Sequence, residues 1–356
     1  MLRHPGVAAA MGAALLFGVG TPIAKWLLQS TSPWLLAALL YLGSGLGLTL
    51  YRMCRSRSPF ERPHLTGAEW RWLLAATAVG GGVAPVLLML GLANTPAASA
   101  SLLLNAEMVF TALLAWFVFR ENFDRRIALG MLAILAGALV LSWPQTGAQA
   151  SPSVGWSFLA ILGACLAWAV DNNLTRKVAL ADAAWIASVK GLVAGSINLV
   201  LALSLGAAWP SWPQAAAAMV LGFSAYGVSL ALFVVALRHL GTARTGAYFS
   251  LAPFAGALLS VIGLGESLDW PLLVAGVLMA WGVWLHLSER HQHQHLHSPL
   301  DHSHQHVHGA AEDGHHQHAH PELDLAGSVR HAHWHHHPAV THGHRHFPDA
   351  HHQHEH

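Results

Sequence analysis

Ten apolar stretches, each near the length needed to cross a bilayer, limit this chain more than any other feature. They fall at 7–27, 33–51, 70–93, 97–119, 126–143, 153–173, 184–205, 215–237, 243–264 and 270–288, bounded by Pro, Gly, Trp or charge. Spanning ~30 Å of hydrocarbon takes about 20 helical residues. Inside that layer every backbone N–H and C=O must be satisfied within the protein, so each stretch reads as a helix. Composition agrees, with 54% hydrophobic and 10% charged residues, where a soluble chain carries roughly a quarter charged. The fold class expected is an all-α integral membrane protein of ten transmembrane helices. Trp26, Trp34, Trp70, Trp72, Trp116, Trp143, Trp156, Trp185, Trp209, Trp212 and Trp270 are expected to mark helix ends, the headgroup level where indole rings anchor.

Lys and Arg set the orientation. Arg52, Arg55, Arg57, Arg62, Arg71, Arg120, Arg125, Arg126, Arg176, Lys177, Arg238 and Arg244 border the loops after the second, fourth, sixth and eighth stretches. The alternate loops, around QSTSP, NTPA, PQTGAQASPS, AAWPSWP and ESLDW, carry neither residue. Positive residues stay on the cytoplasmic side, so both termini are expected in the cytoplasm of a multi-pass inner (cell) membrane protein.

The chain also repeats itself. The segment Asn94 to Glu121 returns 145 positions later at Arg238 to Glu266, with Ala112-Leu113-Leu114 on Ala257-Leu258-Leu259, Glu121 on Glu266 and Ala98 on Ala243. FGVGTPIAK (Phe17 to Lys25) echoes WAVDNNLTR (Trp168 to Arg176). Two copies with five helices each must lie inverted, and the basic loops do swap sides between them. The expected organisation is two inverted five-helix repeats, 5–144 and 152–289, followed by a tail, 290–356. Inverted repeats are a common architecture of secondary transporters, with cargo held near the midplane where the halves meet.

The order of ten short spans, the small-residue opening of the fourth (Ala97-Ala98-Ser99-Ala100-Ser101), and Glu121 and the GLGE of Gly263 to Glu266 at helix ends resemble the EamA-type permeases of the drug/metabolite transporter superfamily. The resemblance covers about 7 to 288. The family pattern has Pro after the fourth-span carboxylate and Gly before its terminal Glu; the second copy keeps Pro253 and Gly265, while the first has Met108 and Arg120. The resemblance implies a transporter, most often an exporter of small metabolites or toxic solutes.

Polar groups inside the spans are the candidate substrate pathway. A charge at mid-bilayer costs about 2.5–3.5 kcal/mol on insertion scales and normally faces a cavity or a partner. Glu107, deepest of all, reads as a proton-titrating or cation-contacting group; its counterpart in the second copy is Ala252, so packing of the repeat does not demand an acid. Asp171, with Asn172 beside it, can pair with Lys190 across a helix interface. Lys25 is expected to snorkel to the headgroups at the outer end of its span. Asn198, Tyr226 and Tyr248 complete the set. Gly80, Gly81 and Gly82 with Pro85 form a candidate hinge. Gly43 and Gly47, and Gly191 and Gly195, have the spacing of close helix contacts.

Several functions are excluded by what is missing. The basic residues form no patch for nucleic acid. No HExxH, GxSxG or CxxC motif occurs, so an enzyme is not expected. Cys54 and Cys165 lie in settings unsuited to a disulfide. No cofactor is required.

After Arg290 the composition changes: 24 of the 28 histidines lie in the last 66 residues. They are His291, His293, His295, His297, His302, His304, His306 and His308; then His315, His316, His318 and His320; then His331, His333, His335, His336 and His337; and finally His342, His344, His346, His351, His352, His354 and His356. Few apolar residues accompany them, so the tail is expected to be disordered. In an extended chain residues i and i+2 point the same way, so each HxH offers two imidazoles to one ion. Nickel, zinc, cobalt and copper suit such ligands. The functional expectation is a secondary transporter, directed outward, of a small molecule or a metal ion, with a metal-binding cytoplasmic tail that feeds or regulates it. Export of an amino acid or metabolite with a buffering tail, and a metal-sensing or metal-storing membrane protein without transport, are the alternatives. The lipid bilayer is the expected partner, and a homodimer is an allowed assembly.

Overall fold

Helix boundaries in the computed structural model follow local chemistry. The structure describes residues 5–55, 65–119, 125–142, 152–287, 294–297, 300–307, 330–337 and 340–343. Pro5 and Pro33 open α1 (Pro5–Leu27) and α2 (Pro33–Arg55), where a missing N–H costs nothing. Thr66 and Glu69 form a reciprocal capping box at α3 (Gly67–Ala76). That helix continues through a π-helical turn, Thr77–Val83, into α4 (Ala84–Ala93). After a bend at residues 94–96 come α5 (Ala97–Leu103) and α6 (Ala106–Phe119), which are separated by Leu104 and Asn105, and then α7 (Arg125–Ser142).

The second half begins with α8 (Pro152–Arg176) and α9 (Ala183–Ser204), the latter capped by the Asp182 carboxylate accepting from Trp185 N at 2.6 Å. Next, α10 (Trp212–Leu221), a second π turn (Gly222–Val228) and α11 (Ser229–Phe249) run without interruption. Then follow α12 (Ala252–Leu264), ended by Gly265 at a φ of 66°, and α13 (Trp270–Leu287). Among the described residues eight helices are long and apolar enough to cross a membrane, and the shorter apolar segments Ala128–Leu141 and Trp270–Leu285 stand where the fifth and tenth spans were expected. Large apolar side chains face outward all round, among them Leu139, Val200, Ile262 and Val277, each about two-thirds exposed; their solvent is lipid.

The tightest helix pairings all join one half to the other: α2 with α9, α7 with α13, α1 with α11 and α12, α4 and α6 with α8, and α5 with α12. The α2–α9 contact shows what permits this. A Cβ at Gly45 would strike the backbone of Gly191 and Leu192, and one at Gly191 would strike Gly45, so these helices touch backbone to backbone.

Two expectations are corrected. A loop was expected between the eighth and ninth stretches, at 238–242. The chain instead stays helical to Phe249, and Arg238 sits within α11, where it donates to the Ala179 carbonyl at 3.1 Å and the Ala181 carbonyl at 2.7 Å. The tail, expected to be disordered, holds β1 (Gln294–His297) antiparallel to β4 (Val340–Gly343) and β2 (Leu300–Val307) antiparallel to β3 (Arg330–His337). The alternating histidines that suggested ligands also have the period-two pattern of a strand. Arg57, Arg62, Arg120, Glu121 and Trp143 lie outside the described residues, as do His291, His293, His308, His315, His316, His318, His320, His344, His346, His351, His352, His354 and His356.

Candidate functional site: an acidic, aromatic cavity between the halves

Glu107 is the second residue of α6, just past the α5–α6 break, and Asn172 on α8 donates its amide to the carboxylate at 2.7 Å. One residue earlier, the Asp171 carboxylate accepts from Thr175 Oγ1 at 2.8 Å and from the fully buried ammonium of Lys190 on α9. Lys190 also donates to Thr175 Oγ1 at 3.1 Å. The pairing expected from sequence is therefore present, as a direct contact, with the Thr175 hydroxyl hydrogen-bonded to both members. An ion pair this deep is tolerable only with such added hydrogen bonds.

These groups meet a cavity half of whose lining residues are aromatic. Phe17 on α1 stands edge-on to Trp168 on α8 at 5.7 Å and to Tyr226 at 5.6 Å, and lies 5.2 Å from Phe249. Tyr41 on α2 is 5.6 Å from Tyr226, and Phe233 is 5.0 Å from Phe249. Glu107, Asp171 and Asn172 supply the acidic side, and Ala225, Ser229 and Leu230 fill the remainder. Both halves contribute.

The π turn in the first half positions this wall. A π turn frees carbonyls from the regular ladder, and here three side chains take them. Tyr41 Oη donates to Gly80 O at 2.9 Å, Trp168 Nε1 to the same oxygen at 3.0 Å, and Asn198 Nδ2 to Gly81 O at 3.0 Å. A Cβ at Gly80 would overlap the Asp171 carboxylate. The Gly80-Gly81-Gly82 hinge candidate lies in a π turn with Pro85 just inside the following helix.

The structure brings together Glu107, Asp171, Asn172 and Tyr226 on the cavity, with Lys190 directly behind. It does not bring Asn198, which fastens the π turn, nor Tyr248, which packs with Val7, Ala10, Ala236 and Leu240. Nor does Lys25 snorkel. Its ammonium donates to the carbonyls of Leu92 at 2.7 Å and Ala93 at 3.0 Å, closing the C-terminus of α4. Beside it the Glu266 carboxylate accepts from Ala97 N and Ala98 N, both at 2.7 Å, the free donors at the start of α5. Sequence reasoning missed Glu266 in this role, and it missed the aromatic wall. One signal was available: Phe17 and Trp168 head the two echoed segments and meet in the cavity.

A multi-pass helical body with a polar and aromatic cavity between its halves fits one class, a membrane transporter. Residues 4–143 and again 155–288 match the EamA-like transporter family, and the chain belongs to it. Members of that family are transporters and not enzymes. An uncharacterized transporter of Methanothermobacter thermautotrophicus is 28% identical over 299 residues, 80% of this chain and 87% of the relative. A probable amino-acid metabolite efflux pump of Salmonella typhimurium is 25% identical over 211 residues, 54% of this chain and 68% of the relative. A solved crystal structure at 20% identity superposes with a TM-score of 0.62, over 80% of this chain and 96% of the other, and supports the fold.

Proposed function

We propose that this chain is a secondary exporter of a small solute in the inner membrane, with Glu107 as the group that couples proton movement to cargo. The observation that carries the reading is the cavity itself, built by both halves and holding one carboxylate that no lysine or arginine in its described lining answers. Outward direction draws on the likeness to the Salmonella efflux pump. Two inverted five-helix halves, 5–144 and 152–289, are supported by the π turns, which stand 145 positions apart like the sequence echoes. Exchanging the halves also maps the helix pairings onto one another. Cytoplasmic termini rest on the distribution of Lys and Arg, and reporter fusions at both ends test them.

The groups near Glu107 are Asp171 and Cys165 on α8, Tyr41 on α2, and Tyr226. With purified protein in vesicles and an imposed pH gradient, the wild type should move solute in proportion to the gradient. Glu107→Gln should fold and yet lose that dependence. Normal dependence in the variant removes Glu107 from the coupling.

The tail is proposed to bind divalent transition metals. Its register sets His302 opposite His335, His304 opposite His333, His306 opposite His331 and His295 opposite His342, and opposite residues on paired strands are neighbours. A metal ion as cargo finds little in the cavity, whose described lining offers Glu107, Asp171 and Asn172 but no imidazole or thiolate. Export of an amino-acid metabolite with a buffering tail is the second reading, favoured by the Salmonella relative.

A further inference from the structure

The charged groups that line the cavity are lopsided in sign. Among its described lining residues there are two carboxylates and no Lys, Arg or His. Asp171 is already balanced by Lys190, whose ammonium also touches Thr175. Glu107 meets a neutral amide, that of Asn172. The wall around a bound molecule therefore has one negative group to offer when Glu107 is ionised, and no positive group.

The hydrogen-bond donors tell the same story. Tyr41 and Trp168 both donate to Gly80 O, Ser229 donates to Ala13 O at 2.8 Å, and Asn172 donates to Glu107. The Tyr226 hydroxyl is neutral and cannot balance an anion. A substrate carboxylate entering this space would have to leave its water without a cation or a cluster of free N–H groups to replace it. An ammonium would find Glu107, and around it the rings of Phe17, Tyr41, Trp168, Tyr226, Phe233 and Phe249. Aromatic faces attract cations and accept apolar bodies equally well.

We infer that the cavity recognises a small organic amine in its ammonium form, carrying an aromatic or apolar body and no free carboxylate, with Glu107 as the counter-ion. This rests on the transporter reading and narrows it, setting free α-amino acids outside the preferred cargo.

The test compares three molecules that share a phenyl ring and differ in charge: phenethylamine (cation), phenylalanine (zwitterion) and 3-phenylpropionate (anion). Binding to the purified full-length chain is measured by calorimetry at neutral pH, separately from flux in proteoliposomes. Phenethylamine should bind at least tenfold tighter than phenylalanine, phenylpropionate should show no binding, and Glu107→Gln should weaken phenethylamine at least tenfold. Equal or tighter binding of phenylalanine overturns the inference, as does binding of none of the three. Because the comparison is made on the wild type, misfolding of a variant does not decide it. Phenethylamine bound with the stated preference but not carried across the bilayer sinks the transport reading and leaves the cavity's selectivity standing. Flux of phenylalanine without amine preference does the reverse.

Discussion

Lys190 is among the largest side chains fully buried in the protein, and an ammonium in such a place is stable only while its charge is answered. Asp171 answers it, and Thr175 accepts a second hydrogen bond from it. Removing one member of a buried pair leaves an uncompensated charge, which costs about 3–5 kcal/mol, whereas removing both can be nearly neutral. Lys190→Met and Asp171→Asn should each lower the thermal unfolding midpoint in detergent markedly, and the double variant should recover most of the loss. Additive losses would show that the two groups do not depend on each other. Because an acid and a base separated by a helix–helix contact have few other ways to be buried, this pairing was legible in the sequence. The aromatic wall was not legible, since Phe17, Tyr41, Phe233 and Phe249 look like ordinary apolar residues until tertiary packing turns them toward one space.

At the scale of elements, the informative places are where helices depart from regularity. The glycines at 80–82 announced a weak point, and the form it takes, a π turn with its carbonyls claimed by Tyr41, Trp168 and Asn198, depends on partners far away in sequence. The turn between α4 and α5 is fastened from both sides, by the Lys25 ammonium on the carbonyls ending α4 and by the Glu266 carboxylate on the amides beginning α5. Each charge matches the helix end it meets. Loss of a helix cap costs about 0.5–2 kcal/mol. Glu266→Ala should therefore loosen this turn more than it harms the whole protein, and a cysteine placed by Ser99→Cys, in a chain also carrying Cys54→Ser, should react faster with maleimide. Unchanged labelling would mean that Glu266 holds nothing closed there. Sequence placed Glu266 correctly at a helix end but did not identify its partner, because capping of one half by the other is a tertiary contact.

Across the whole molecule, the membrane-helical plan came through clearly in sequence because hydropathy is a coarse signal that survives local variation. The tail came through less well. Low apolar content argued against order, yet alternating residues can pair backbone to backbone without a core. Deletion of residues 291–356 should abolish binding of nickel or zinc to the purified protein while leaving solute flux in vesicles intact, as measured by calorimetry and uptake. Retained metal affinity would move the metal site into the helical body, and lost flux would make the tail part of the conducting machinery.

The halves are related but not alike. Residues 94–96 bend the first, with Lys25 and Glu266 clasping the bend, whereas the corresponding stretch at 239–241 continues as plain helix in α11. Under the transporter reading one rim must be shut at every instant, and the clasp at 94–96 occurs in one half only. A binder raised against the bend at 94–96 would thus arrest the cycle at a single stage, and which side of the membrane it stalled cargo on would reveal that stage.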